Sequence, residues 1–161
     1  MNIKQFENNL ENVKKLSPNV YKETMQLSVP FFLLHKKLYE EGNRLLNEEF
    51  SLNQSELDIL ASVYYMTDGS FTISPTELYE VMFFSSGGMT KVLKKLETKE
   101  LIIRVDNKID KRSKLVKLTA KGKDLTARAL ENIVKFEDKH FSKLENEEQK
   151  LFKKLLLKIF N

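Results

Sequence analysis

Residues 74–118, SPTELYEVMFFSSGGMTKVLKKLETKELIIRVDNKIDKRSKLVKL, constrain what this chain can fold into more than any other stretch. Ser74 with Glu77 makes a capping box, in which each side chain satisfies the other residue's backbone N–H, and Pro75 occupies the first helical position. A short helix is expected from there to about Phe83. Ser85-Ser86 offers a second N-cap, after which Met89, Val92, Leu93 and Leu96 recur as one apolar helical face. Two helices so close together make a helix-turn-helix candidate.

The opposite face of the second helix carries Gly87, Lys91, Lys94 and Thr98, flanked by Thr90 and Lys95. A helix lying in a major groove needs ammonium groups for phosphates or guanine edges, hydroxyls for either, and little bulk at its N-terminus. An ordinary solvated face would also look like this. The segment after this helix shifts the balance: 101–105 and 114–118 are rich in β-branched and aliphatic residues and bracket a polar loop carrying Lys108, Lys111 and Arg112. Phe71-Thr72-Ile73 can supply a third short strand. Strand, helix, helix and hairpin in that order describe a winged helix-turn-helix. Between Ser85 and Lys117 ten basic residues stand against four acidic ones, a balance of +6 where the whole chain is +4. Charge so concentrated is the footprint of a nucleic-acid binder.

Through Ser-Pro-Thr-Glu-Leu at 74–78, Ser-Ser-Gly-Gly-Met-Thr at 85–90, Leu-x-x-Leu-Glu at 93–97 and Asp110-x-Arg112 before Leu118-Thr119, the sequence resembles the multiple-antibiotic-resistance-regulator (MarR) family of bacterial transcription factors. The resemblance covers roughly residues 50–125 in detail and the flanking helices in layout. It implies a repressor that binds double-stranded DNA as a homodimer. It also implies that Arg112 enters the minor groove at the wing tip, held by an ion pair to Asp110. A narrow minor groove has enhanced negative potential that favours an inserted guanidinium. The expected DNA-binding residues are Ser74, Thr76, Ser85, Ser86, Gly87, Thr90, Lys91, Lys94, Lys95, Asp110, Arg112 and Lys114. Lys108-Ile109 departs from the more usual polar or proline-containing approach to the aspartate.

The rest of the 161 residues reads as helical, so the fold class is mainly α with a small antiparallel wing: N-terminal helices over 1–50, the winged module over 51–118, C-terminal helices over 119–161. Ile3, Phe6, Leu10 and Val13 recur at helical spacing, and Ser17-Pro18 then breaks the helix. A second helix is expected from near Asn19, with Pro30 kinking or restarting it before a pattern that runs to Phe50. Asn53 with Glu56 forms another capping box ahead of Leu57, Leu60, Ala61 and Tyr64, in a helix expected to end near Asp68-Gly69. Thr119 caps a long helix with Leu125, Ala129, Ile133 and Phe136 on one face, ending near Leu144. Asn146 with Gln149 opens a final helix in which Phe152, Leu155, Leu156 and Ile159 form one stripe, while Leu151, Leu157 and Phe160 spread apolar surface around it. So apolar a terminal helix is expected to pack against another subunit; closing its own core is the alternative.

With no cysteine, disulfides, thiolate metal sites and a cysteine-based oxidation sensor are excluded. No apolar run approaches the roughly 20 residues needed to span a bilayer, and the N-terminus lacks a signal-peptide core, so no membrane partner is expected and the location is expected to be cytoplasmic, on the nucleoid. His35 and His140 are the only histidines, and no nucleophile elbow, phosphate loop or zinc-helix pattern accompanies them. No catalytic residue, metal or cofactor is expected. The resemblance also implies a small aromatic or lipophilic effector between the dimerisation helices and the winged module, with Phe31, His35, Tyr39, Tyr64 and Tyr65 as candidate contacts, although for any one of them core packing is the stronger reading. A winged-helix protein-interaction module that does not read DNA remains the alternative function.

Overall fold

The computed structural model describes residues 3–82 and 86–160. Its elements run α1 Ile3–Leu16, α2 Met25–Phe50, α3 Gln54–Tyr65, β1 Thr72–Ile73, α4 Pro75–Val81, α5 Ser86–Thr98, β2 Ile102–Asp106, β3 Lys114–Leu118, α6 Ala120–Phe141 and α7 Asn146–Phe160. The chain forms two units, Met1–Glu41 and Gly42–Asn161.

The first unit is α1 and the N-terminal part of α2. The second helix begins at Met25, not near Asn19. From Ser17 the backbone turns instead, with Val20 and Tyr21 N–H both donating to the Ser17 carbonyl, and Lys14 Nζ sits 5.2 Å over the Tyr21 ring. Thr24, a good N-cap type, directly precedes the helix. Pro30 lies inside α2 without dividing it. Leu16, Val20, Leu27 and Phe32 remain largely exposed.

In the second unit the core sits around α3, against which α4, α5, α6 and β3 all pack. The one-sided apolar face expected of α3 is therefore too narrow. Leu57, Ile59, Leu60 and Val63 are all buried, because neighbours surround this helix, while Ala61 and Tyr64 are only partly covered. The Asn53–Glu56 capping box forms in both directions. The helix stops at Tyr65, short of the expected end near Asp68-Gly69: Met66 is its C-cap, donating its N–H to the Ser62 carbonyl, and the left-handed residues Asp68 (φ 44°) and Gly69 (φ 80°) follow in the turn.

The sheet has the order β1-β3-β2, antiparallel throughout, pairing Thr72 with Lys117 and Ile102 with Leu118. Val116 and Leu118 face inward from β3 while Lys117 faces out. The Ser74–Glu77 capping box forms as expected, and Pro75 opens α4. That helix ends at Val81 because Met82 is extended (φ −114°, ψ 128°); Phe83, the expected end, lies outside the described residues.

Two junctions fix α5. Glu100 adopts φ 60°, and the Leu101 and Glu100 N–H groups donate to the carbonyls of Leu96 and Glu97, a Schellman ending with glutamate in the left-handed position. At the start of α6, Thr119 Oγ1 accepts from Gly122 N at 2.9 Å and donates to Glu100 O at 2.8 Å. Gly122 is pressed so close that a Cβ there would stand 2.0 Å from the Leu101 carbonyl oxygen.

On α6, Ala129 and Ile133 are buried as their spacing predicts, and the helix ends at Phe141, before Leu144. The last helix is capped one residue earlier than expected: Glu145 N donates to Glu148 Oε2 at 2.8 Å, whereas Gln149 Nε2 reaches back to Leu144 O at 2.9 Å. Acceptor geometry decides this, since Asn146 is already helical. No residue of α7 is buried.

Candidate nucleic-acid interface

The capping boxes and the apolar face of α5 place this helix as the outer member of the pair α4–α5. Met89, Leu93 and Leu96 are buried, and the opposite side presents Thr90, Lys91, Lys94, Lys95 and Thr98 to solvent. Lys91, Lys94 and Lys95 make no ion pair among the described residues. Thr98 Oγ1 donates to the Lys94 carbonyl at 3.0 Å, so that hydroxyl serves its own helix first. Ser85 lies outside the described residues; Ser86 and Gly87 fall in the first turn of α5. On α4, Thr76 is exposed, while Ser74 Oγ accepts from Glu77 N at 3.1 Å as the cap. The Ser74 N–H donates in return to Glu77 Oε2 at 2.9 Å, and hydrogen bonds from Ser74 hold the Glu77 carboxyl below the ordinary carboxylate range.

The hairpin loop is a built structure. Asn107 Oδ1 accepts from Ile109 N at 2.9 Å and Asp110 N at 3.3 Å, and Asn107 Nδ2 donates to Ser113 Oγ at 2.9 Å. Asp110 Oδ1 accepts from Arg112 N at 3.1 Å and faces Arg112 Nε at 3.4 Å. Asp110 and Arg112 thus form the expected ion pair, with the arginine side chain 95% exposed. Lys114 is less free than expected: it bonds Asp106, its cross-strand partner. Pairs this exposed are worth little in water, so a phosphate can compete for the ammonium.

Charge counting along the sequence missed two internal uses of basic residues. Lys99 Nζ donates to Glu56 Oε1 and to the Ser51 carbonyl, both at 2.7 Å, and Arg104 Nε lies 3.3 Å from Glu97 Oε1, joining β2 to α5. Both are structural clamps that hold α5. Glu56 could be read from sequence as a capping residue; its second role could not. A groove of about 610 Å³ runs beside α5, lined by Lys91, Lys94, Lys95 and Lys99 on one side and by Asn47, Ser51 and Asn53 on the other.

The candidate effector residues are distributed over both units. In the first, Phe31 meets Phe32 edge-on at 5.5 Å, and His35 stacks with Tyr39 at 6.1 Å. In the second, Tyr64 lies 5.2 Å from both Tyr65 and Phe71, and Lys123 Nζ sits 3.9 Å over Phe71. None of the five lines the α5 groove or the cleft of about 340 Å³ between α6 and α7.

Three antiparallel strands, a helix pair with a basic outer face and a charged hairpin define a winged helix-turn-helix protein of the nucleic-acid-binding class. Residues 37–129 match the family model described as transcriptional regulator SarA/Rot, and the chain belongs to that family. An uncharacterised HTH-type transcriptional regulator of Bacillus cereus is 29% identical over 123 residues, covering 74% of this chain and 79% of the relative. A mutant MarR of E. coli complexed with operator DNA superposes with a TM-score of 0.67 at 25% identity, covering 88% of this chain and all of that one. The organohalide-sensing regulator RdhR, in its 2,4-dichlorophenol-bound form, shares the fold with a TM-score of 0.74 at 20% identity over 89% of this chain and 82% of its own. The resemblance to MarR-type regulators is thereby borne out, and this is a winged-helix transcriptional regulator, a class of DNA-binding proteins and not of enzymes. No described helix is long and apolar enough to cross a membrane.

Proposed function

We propose that the chain acts as a homodimeric, cytoplasmic repressor that binds a pseudo-palindromic operator. Each copy places α5 in a major groove, with Ser74, Thr76, Ser85, Ser86, Gly87, Thr90 and Lys114 available to the backbone around it, and sets Arg112 in the adjacent minor groove. The observation that carries the reading is the exposed row Lys91, Lys94 and Lys95 on α5, which makes no ion pair among the described residues, while the cations next to the helix, Lys99 and Arg104, are committed to internal pairs. Two such helices related by a two-fold axis read half-sites about one helical turn apart. The apolar α7 supports dimerisation, with Ile159 and Phe160 81% and 85% exposed in the single chain.

Selection of bound fragments from genomic DNA tests this. The expected product is an inverted repeat with half-sites about 10 base pairs apart centre to centre. Recovery of no preferred sequence would overturn it and favour a protein-interaction module.

Effector control is part of the same proposal, supported by the dichlorophenol-bound RdhR and by the aromatic residues Phe31, His35, Tyr39, Tyr64 and Tyr65. Titrating substituted phenols and aromatic acids against the protein–operator complex should release DNA; a panel without effect would remove effector control while leaving DNA binding intact.

A further inference from the structure

Ile109 is the most exposed large hydrophobic residue among those described, at 98%, and it stands at the apex of the wing. The loop does not leave it loose. Asn107 holds its N–H, Ser113 N and Oγ both donate to the Asp110 carbonyl at 3.0 and 3.1 Å, and Asn107 joins Ser113 across the turn. The backbone that carries Ile109 is therefore the same cross-linked turn that carries Arg112. Its β-branched side chain is stiff at χ1 and so is presented in few orientations.

The surroundings say what it meets. From Asp106 to Lys114 every residue except Ile109 is polar, and Lys108, Lys111 and Arg112 are all exposed around it. A single apolar point inside a ring of cations is too small for a protein partner, which requires a contiguous apolar patch. It does match a groove whose rims are phosphates and whose walls are deoxyribose C–H surface. The minor groove is about 6 Å wide, and proteins that enter it often insert an aliphatic wedge beside their arginines.

We propose that Ile109 is an apolar minor-groove contact that packs against the sugar walls and base-step edges beside Arg112. This rests on the DNA-binding reading. The cations draw the apex between the two phosphate rims, and Ile109 supplies the part of the contact that salt does not screen.

The test uses the full chain and its selected operator, with dissociation constants measured at several salt concentrations for the wild type, Ile109→Ser, Ile109→Leu and Lys111→Ala. Ile109→Ser should bind about five- to tenfold more weakly with an unchanged salt slope, since no charge is lost. Ile109→Leu should stay near wild type, and Lys111→Ala should lower the slope. Thermal midpoints should not move, because residue 109 touches no core. Equal operator binding by Ile109→Ser and the wild type would overturn the contact alone. A loss with a shallower slope would also overturn it, assigning the effect to displaced lysines. A wild type that selects no DNA overturns the DNA reading and this contact with it.

Discussion

Lys99 Nζ lies 2.7 Å from Glu56 Oε1 and 2.7 Å from the Ser51 carbonyl, tying the C-terminal end of α5 to the turn between α2 and α3. Glu56 is only 2% exposed and its other oxygen receives the Asn53 N–H at 2.9 Å, so one carboxylate both caps α3 and anchors the helix assigned to the major groove.

Removing the cation from this pair should be costly, because a nearly buried carboxylate would be left with one hydrogen bond. Lys99→Met is expected to destabilise the fold by about 2 kcal/mol, below the range for fully buried pairs because Lys99 is partly solvated. Urea unfolding measures it. A midpoint within error of wild type would show that water replaces the ammonium without loss.

Gly122→Ala should be worse than its small volume suggests. The added methyl would meet the Leu101 backbone oxygen at 2.0 Å, and backbone cannot swing aside like a flexible side chain. The expected loss is about 3 kcal/mol, with α6 pushed away from the end of α5. Thermal unfolding checks this, and an unchanged midpoint would mean that the junction is looser than its geometry.

Arg112→Ala should weaken operator binding by about 1 to 3 kcal/mol while leaving the thermal midpoint in place. Arg112→Lys should not restore it, since an ammonium lacks the planar guanidinium that lies against Asp110. Gel-shift titration of both variants decides the point; full affinity in either would remove the wing arginine from recognition.

Burial raises the Asp58 carboxyl above its ordinary value, and a hydrogen bond from Gln54 Nε2 at 2.8 Å only partly opposes this. A raised carboxyl pKa penalises the fold above the folded-state pKa, and the penalty fades as pH falls through it. Asp58→Asn should therefore be at least as stable as wild type at pH 7, with the advantage shrinking in acid. Unfolding midpoints at pH 7 and pH 4 test the sign, and an advantage that grows in acid would refute it.

Deleting residues 146–161 removes Phe152, Leu155, Leu156, Ile159 and Phe160, each worth roughly 1.5 to 3 kcal/mol when fully buried. The truncated chain should be monomeric or aggregated and should lose high-affinity operator binding. Light scattering reads this directly. A soluble truncated dimer that still binds the full operator would place the dimer interface elsewhere.

Local chemistry was open to reading from the sequence. The boxes Ser74–Glu77 and Asn53–Glu56 and the Thr119 cap each join residues three apart, so the chain needs no knowledge of its fold to form them. The periodic face of α5 and the two strand segments flanking a polar loop are of the same kind, and with them came the winged module and its basic helix; the Asp110–Arg112 pair was implied by the family resemblance. Tertiary structure alone decided the rest. Whether α3 is covered on one side or all around depends on which elements surround it. Lys99 looks like one more surface cation until the fold carries it to Glu56, 43 residues away in sequence. Gly122 could pass for an ordinary weak point in a helix until Leu101 is packed against it. Interactions within a turn are written in spacing; those between turns exist only after distant segments are brought together, which is a property of the whole packing and not of any one stretch.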